Sequence, residues 1–249
     1  MRKFYLVFLI AIIILLKQPH YFKASQEDID NKLLQDTLVT TLFPYIKEGV
    51  IQYYGYPKSF GLYDTKVIKV IRELDGAFGF TVEVIVNTFE HAHNPPYGKE
   101  TMAFNISPMG IKKISFYHVG DEEEKKMLLF YKESISDIKQ SFHLNLEHYS
   151  QFNYNQLYYQ AEKKEDYRSL SAITETIVLN ILNPEIHPPY KNIISPVTFI
   201  NGNNGYILFK KADGTNMLFK VKKKNNAWNV VEKKSEKGKK MKNKLLWYM

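Results

Sequence analysis

Residues 80–87 read FTVEVIVN, and their period of two leaves little conformational freedom. Phe80, Val82, Val84 and Val86 alternate with Thr81, Glu83, Ile85 and Asn87, the pattern of a strand with one face buried. The strand belongs to a longer apolar run, Ala77 to Asn87, which follows TKVIKVIR (Thr65 to Arg72) through Leu-Asp-Gly. Asp75-Gly76 is hairpin chemistry, because both residues tolerate the positive φ of a tight turn. Two more strand-like runs follow, Glu100 to Ile106 and Ile111 to Val119, joined by Ser-Pro-Met-Gly. Four antiparallel strands with one apolar face need a cover, and the helices must supply it.

Those helices precede the strands. Ser25-Gln-Glu-Asp28 fits a capping box, and Ile29, Leu33, Leu34, Leu38 and Leu42 recur at helical spacing. Pro44 is expected to end this helix or to open a second one at its first position. The second segment, YIKEGVIQYYGYP, should stop at Gly55 and Pro57. The acidic DEEEKK (121–126) interrupts the apolar pattern and reads as a domain boundary. From Met127 to about Leu182 there is no Gly and no Pro, so long helices are expected, with Leu128, Ile135, Ile138 and Phe142 facing inward in one. Leu157, Ala161, Leu170, Ile173 and Ile177 suit others. Four strand runs close the chain: Pro196 to Ile200, Gly205 to Lys211, Asn216 to Lys224 and Trp228 to Lys234. The expected fold class is therefore α+β: an N-terminal signal helix, then two domains, each with helices packed on a four-stranded antiparallel sheet. The expected ranges are 1–25 for the signal or anchor, 26–120 and 127–234 for the domains, and 235–249 for a basic tail. The second domain, with its closing AWNV strand, looks like a cystatin- or NTF2-like cone, a likeness of fold alone.

The first 25 residues point outside the cytoplasm. MRK precedes thirteen apolar residues, Phe4 to Leu16, and Ala24-Ser25 supplies the small residues of a cleavage site. A spanning helix needs about 20 apolar residues. The expected location is secreted or extracytoplasmic, with tethering through an uncleaved N-terminal helix as the alternative. The chain contains no cysteine. An exported fold without disulfides must hold together by burial, and thiol nucleophiles and thiolate metal sites are excluded. Charge is unevenly spread. Of a net charge of +8, residues 1–25 carry +4 and residues 220–249 carry +9, so the body between them holds −5. The basic end is expected to act by itself on an anionic wall or membrane surface. Residues 233–244 should be mobile, with LLWYM at the extreme end suited to a water–lipid interface. Export disfavours intracellular nucleic acid as a partner.

The densest local signal is FEHAHNPPYG (89–98). With the strands FTVEVIVNTFE, TMAFNI and IKKISFYHV around it, HNPPYG resembles the motif of a functionally uncharacterised family of small secreted proteins from spore-forming Gram-positive bacteria. The likeness covers about residues 26–120. It implies export and the helix-then-strand architecture, and it carries no activity. Physically, His91 and His93 on an extended segment point to one side and could hold a metal, with Glu90 or His118 as a third ligand. The structural alternative is a stiff corner. Pro95 and Pro96 remove two amide donors and should prevent a central strand, Gly98 should supply a positive φ, and His93, Asn94 and Tyr97 complete the turn. The corner is the favoured reading, so His91 and His93 stand only as weak metal candidates. HPPY recurs at 187–190, where it reads as a rigid helix-to-sheet linker.

HYSQFNYNQLYYQ (148–160) is rich in rings, and Tyr154, Tyr158 and Tyr159 are candidate binding aromatics, against the simpler reading of tyrosine tips at a helix–water boundary. No nucleophile elbow, P-loop, HExxH or EF-hand pattern occurs. The expected function is that of an exported, non-catalytic protein without a cofactor, binding an unknown protein or an envelope polymer, or structural at the cell envelope. A metal-dependent or hydrolytic enzyme using His91 and His93, and an inhibitor or immunity-type partner of another exported protein, are the alternatives.

Overall fold

The computed structural model describes residues 31–90, 94–186 and 190–241. Helix α1 runs Asn31–Tyr54 and contains Pro44 in its interior. The expected break at Pro44 is therefore absent. One continuous helix carries Val39, Leu42, Ile46 and Val50 into the core, and the backbone accepts a proline there because packing on both sides of it holds the turn. The buried stripe begins at Val39, while Leu33 and Leu34 stay exposed; Ile29 and the Ser25 capping box lie outside the described residues. Gly55, at φ 78°, closes the helix as expected, with its amide donating to the Ile51 carbonyl.

The first sheet has five strands: β1 (Ser59–Phe60), β2 (Lys66–Arg72), β3 (Phe80–Glu90), β4 (Asn94–Ser107) and β5 (Gly110–Gly120). Its order is β1-β3-β4-β5, with β2 also on β3, all antiparallel. Val82, Val84 and Val86 face inward as the alternation requires, beside Met102 and Phe104 of β4. Gly49 of α1 lies so close to the sheet that an added Cβ would sit 3.0 Å from the Met102 sulfur. Strand β1, two residues long, has no sequence signature, since its pairing to Thr88 and Phe89 depends on where the chain after α1 is carried.

Helix α2 (Glu122–Ser141) begins directly after β5. Asp121 caps it by accepting a hydrogen bond from the Glu124 amide, and the acidic stretch expected as a boundary is its first turn, favourably placed at the positive end of the helix dipole. α2 packs against β4 and β5 of the first sheet and against β8 and β9 of the second. Both sheets belong to one compact unit that begins at Val39.

The second sheet also has five strands, not four, in the order β10-β9-β8-β7-β6: β6 (Ser150–Phe152), β7 (Ile194–Asn201), β8 (Asn204–Lys210), β9 (Thr215–Lys224) and β10 (Ala227–Lys237). Helices α3 (Tyr154–Lys163) and α4 (Arg168–Ile177) precede β7. One face of this sheet packs Leu157, Leu170 and Ile177 against Ile207, Phe209, Phe219, Val221 and Trp228. The other packs Phe130, Ile135 and Ile138 of α2 against Val197, Phe199, Leu208 and Leu218. Helices thus cover both faces. The consecutive apolar runs YILF in β8 and MLF in β9 have that cause, because a strand buried on both sides has no polar alternation.

The basic C-terminal region is more ordered than its composition suggests. β10 pairs with β9 through Lys237↔Thr215, and Met241 is buried in the α2-side core. The expected mobile segment from Lys233 is therefore folded as far as 241, and the expected tail boundary at 235 falls inside a strand. Backbone pairing to an open sheet edge needs no apolar side chains, and outward lysines suit an edge strand. LLWYM lies outside the described residues.

A buried ion pair fastens this region. Lys210, 1% exposed, approaches Asp137 Oδ2 at 2.5 Å and donates to Asn216 Oδ1 at 2.8 Å. Asn216 Nδ2 and the Lys239 amide also donate to Asp137 Oδ2, at 2.9 and 3.0 Å. Burial acts to raise the Asp137 carboxyl, but the hydrogen bonds from Lys210, Asn216 and Lys239, with the lysine's charge, outweigh it and hold the group below its ordinary value. A depressed carboxyl stabilises the fold above its unfolded value of about 3.9, and that contribution is lost as pH falls through the lower folded value. Asp137→Ala should cost about 3–5 kcal/mol in denaturant unfolding, because Lys210 is left buried without its counter-charge. Asp137→Asn should flatten the acid limb of the stability–pH curve below about pH 4; an unchanged limb would exclude this carboxylate from acid unfolding.

Candidate functional site

The inward row of the first sheet changes character toward one end. Val82 and Phe104, then Val84, Met102 and Phe116, are apolar across the strands. The next row is Val86, Glu100 and His118, and the row after it is Thr88, Gly98 and Gly120. Glu100 and Thr88 have no accessible surface. Tyr54, at the end of α1, lies over this polar end. Its hydroxyl donates to Glu100 Oε1 at 2.6 Å and lies 3.2 Å from both Thr88 Oγ1 and His118 Nδ1. Burial first, and then the hydrogen bond to Glu100, push the Tyr54 hydroxyl far above its usual value, so it remains a donor.

His118 joins two carboxylates. Its Nδ1 is 3.1 and 3.0 Å from the two oxygens of Glu100. Its Nε2 is 2.9 Å from Oε2 of Glu124, which α2 brings in with its first turn. That approach has ion-pair distance but lies out of line for a hydrogen bond, so this buried oxygen has no donor aligned on it among the described residues. Lys58, 5% exposed, reaches Glu124 Oε1 at 3.3 Å and Glu90 Oε1 at 3.4 Å, and its ammonium lies over the Tyr54 ring at 4.4 Å. Tyr56 donates to the same Glu90 oxygen at 3.4 Å. Three carboxylates thus face one lysine and one histidine. Even with an imidazolium, the cluster carries an excess negative charge.

The glycines of this region serve close approach. Gly98 does not have a positive φ, contrary to the expectation of a turn glycine. A Cβ there would lie 2.5 Å from Glu100 Oε1 and 2.6 Å from both Thr88 Oγ1 and Tyr54 Oη. At Gly120 it would lie 1.8 Å from Glu124 Oε2. HNPPYG is likewise not the end of a strand. Asn94 to Gly98 are the first residues of β4, and the register shifts between Phe89↔Tyr97 and Glu90↔Asn94, so Pro95 and Pro96 occupy a bulge. A bulge asks for no ladder donor, and β5 ends opposite Gly98, so the prolines deny no neighbour a hydrogen bond. Tyr97 instead bonds Asp121, its amide donating to Oδ2 at 3.1 Å and its carbonyl accepting from the Asp121 amide at 3.0 Å. His91, His93 and most of the second HPPY lie outside the described residues. Among the described residues no group of three His, Asp or Glu side chains is placed to hold a metal ion.

Beside this cluster a cavity of about 280 Å³ opens between the end of β3 and α3. Its lining comes from Tyr56 and Lys58 with Glu90 of β3, and from Asn155, Tyr158, Tyr159 and Glu162 of α3. Local chemistry fixes α3. Asn153 and Gln156 form a capping box at the start of α3, and Gln156 Nε2 also donates to the Tyr54 carbonyl at 2.8 Å. Two of the three candidate aromatics, Tyr158 and Tyr159, therefore face the cavity wall; Tyr154 does not line it. No sequence motif marks the polar cluster; its one local signal is that Thr88 and Glu100 sit at inward positions of otherwise apolar strands.

Gly98→Ala should cost about 1–3 kcal/mol, since three buried oxygens must move. Gly79→Ala, whose methyl meets only Glu73 Oε2 at 3.4 Å, should be near neutral by comparison. His118→Ala should cost about 3–5 kcal/mol by leaving two buried carboxylates without their shared base. Equal stability of His118→Ala and the parent in urea unfolding would show that the cluster is not a structural tie.

No curated protein and no solved structure matches the chain. Residues 34–120 match the model of a family described as a protein of unknown function (DUF3888), and that range coincides with most of α1 and all of the first sheet, so the five strands, Gly98, Glu100 and His118 lie in the family's segment and Glu124 just beyond it.

Proposed function

We propose that this chain is an exported, non-catalytic protein that binds a small ligand at the cell envelope through the cavity between β3 and α3. The observation that carries the reading is the lining itself: tyrosine rings, one of them 51% exposed, beside the carboxylates of Glu90 and Glu162 and the amide of Asn155. Apolar faces with a few convergent polar groups are the usual composition of a ligand site. The adjacent cluster supports binding over chemistry, because His118 directs both ring nitrogens at carboxylates and keeps none for a substrate. Export rests on the apolar run Phe4 to Leu16 and its basic flank. The lysines of the C-terminal region would add attraction to an anionic wall or membrane surface.

Two measurements test this. Cell fractionation with N-terminal sequencing should find the protein outside the cytoplasm, starting near residue 26 or retained on the membrane; a cytoplasmic product with intact Met1 would overturn export. Metal analysis of the purified protein should give no stoichiometric zinc or manganese. Stoichiometric metal that His91→Ala abolishes would replace the binding role with a metal-dependent one.

A further inference from the structure

We infer that the cavity between β3 and α3 takes a cationic amine, an ammonium or guanidinium group on a short alkyl chain. This inference rests on the cavity being a binding site and goes on to name its ligand.

Charge favours a cation. Among the described residues the charged groups lining the cavity are Lys58, Glu90 and Glu162, one positive and two negative. Lys58 is not available to an anion. It is 5% exposed and already lies between Glu90 and Glu124. Behind it, Glu124 and Glu100 share His118, so the wall is backed by further carboxylate. An entering anion would meet that excess negative charge; an entering cation would offset it. Burial and then the Glu90 charge raise the Tyr56 hydroxyl, the same field acting on a neighbouring group.

The rings favour the same ligand. An ammonium is attracted to the face of an aromatic ring within about 6 Å of its centre. The molecule already uses this contact twice here, with Lys58 over Tyr54 at 4.4 Å and Lys163 over Tyr159 at 5.3 Å. Tyr158, half-exposed, lines the same cavity as Glu90, with Glu162 one turn further along α3. The lining thus offers an entering cation both a ring and carboxylates.

Size agrees with it. A volume of 280 Å³ falls just below the roughly 300–1,000 Å³ of ordinary small-molecule sites, which suits a single charged chain rather than a bulky molecule. Such a group is carried by a free polyamine or by a lysine or arginine side chain of a polypeptide.

Calorimetric titration of the purified chain distinguishes these cases. Cadaverine and agmatine stand for free amines, and N-acetyl-lysinamide and N-acetyl-argininamide for side chains. N-acetyl-norleucinamide is the neutral control, with glucose and acetate as uncharged polar and anionic probes. One or both cationic pairs should bind, more weakly at high salt, and the neutral control should not. Tyr158→Ala should weaken the cation about twofold to fivefold, the factor an exposed cation–π contact contributes. Glu162→Gln should weaken it and reduce its salt dependence. Both residues are exposed, so these variants should melt with the parent. Binding of glucose or acetate that Tyr158→Ala removes, without binding of any amine, would overturn the cationic ligand while keeping the cavity as a site. Amine binding that both variants leave unchanged would place it elsewhere and overturn the inference. Silence of every probe would count against the cavity as a small-ligand site altogether.

Discussion

A carboxylate with no accessible surface cannot remain charged without donors, and Glu100 draws its donors from three separate elements. Tyr54 comes from the helix before the sheet, Thr88 from the neighbouring strand β3, and His118 from the opposite neighbour β5. Each must be in one register for the others to meet it. A slip of one residue in β4 would turn Glu100 to the other face and leave the donors unpaired. Such buried pairs are weak sources of net stability, yet leaving one incomplete is costly, so they select one arrangement over its near competitors. The two glycines that admit these side chains, Gly98 and Gly120, belong to the same constraint.

Helix α2 carries the constraint into the rest of the molecule. It has one buried carboxylate near each end: Glu124 joins His118 and Lys58 at the first sheet, and Asp137 joins Lys210 and Asn216 at the second. Between them, Phe130, Ile135 and Ile138 contribute apolar area to the second sheet. A helix pinned by charge at two points and by packing between them has little freedom to slide. The Gln156 side chain, bonded to the Tyr54 carbonyl, makes a further polar tie between α1 and α3, the helix that carries part of the cavity lining.

Much of the molecule could be read along the chain because its signals are local. Alternation in β3, the Asp75-Gly76 turn, the Gly55 stop and the Gly- and Pro-free helical stretch each act over a few residues, and the elements formed there. Where the fold departs from the local signals, the cause is tertiary. Proline's local rules oppose a helix interior at Pro44 and a strand at Pro95-Pro96, whereas α1 continues through the first and a bulge accommodates the others. Residues 233–241 have few side chains to bury, whereas an open strand edge and the Asp137 carboxylate give their backbone partners. The strands β1 and β6 are too short to show any period at all.

The amino-acid sequence by itself determined the mixed α and β class, the hairpins, the inward face of β3 and the concentration of lysine near the C-terminus, because periodicity, turn chemistry and composition are written in neighbouring residues. Only the tertiary structure decided that Glu90, Lys58, Glu124 and His118 meet, that Tyr158 faces the same cavity, and that Gly98 is required for closeness and not for a turn. Those facts depend on side chains from Tyr54 to Glu162 converging in space, and no spacing along the chain encodes a distance between elements that folding alone brings together.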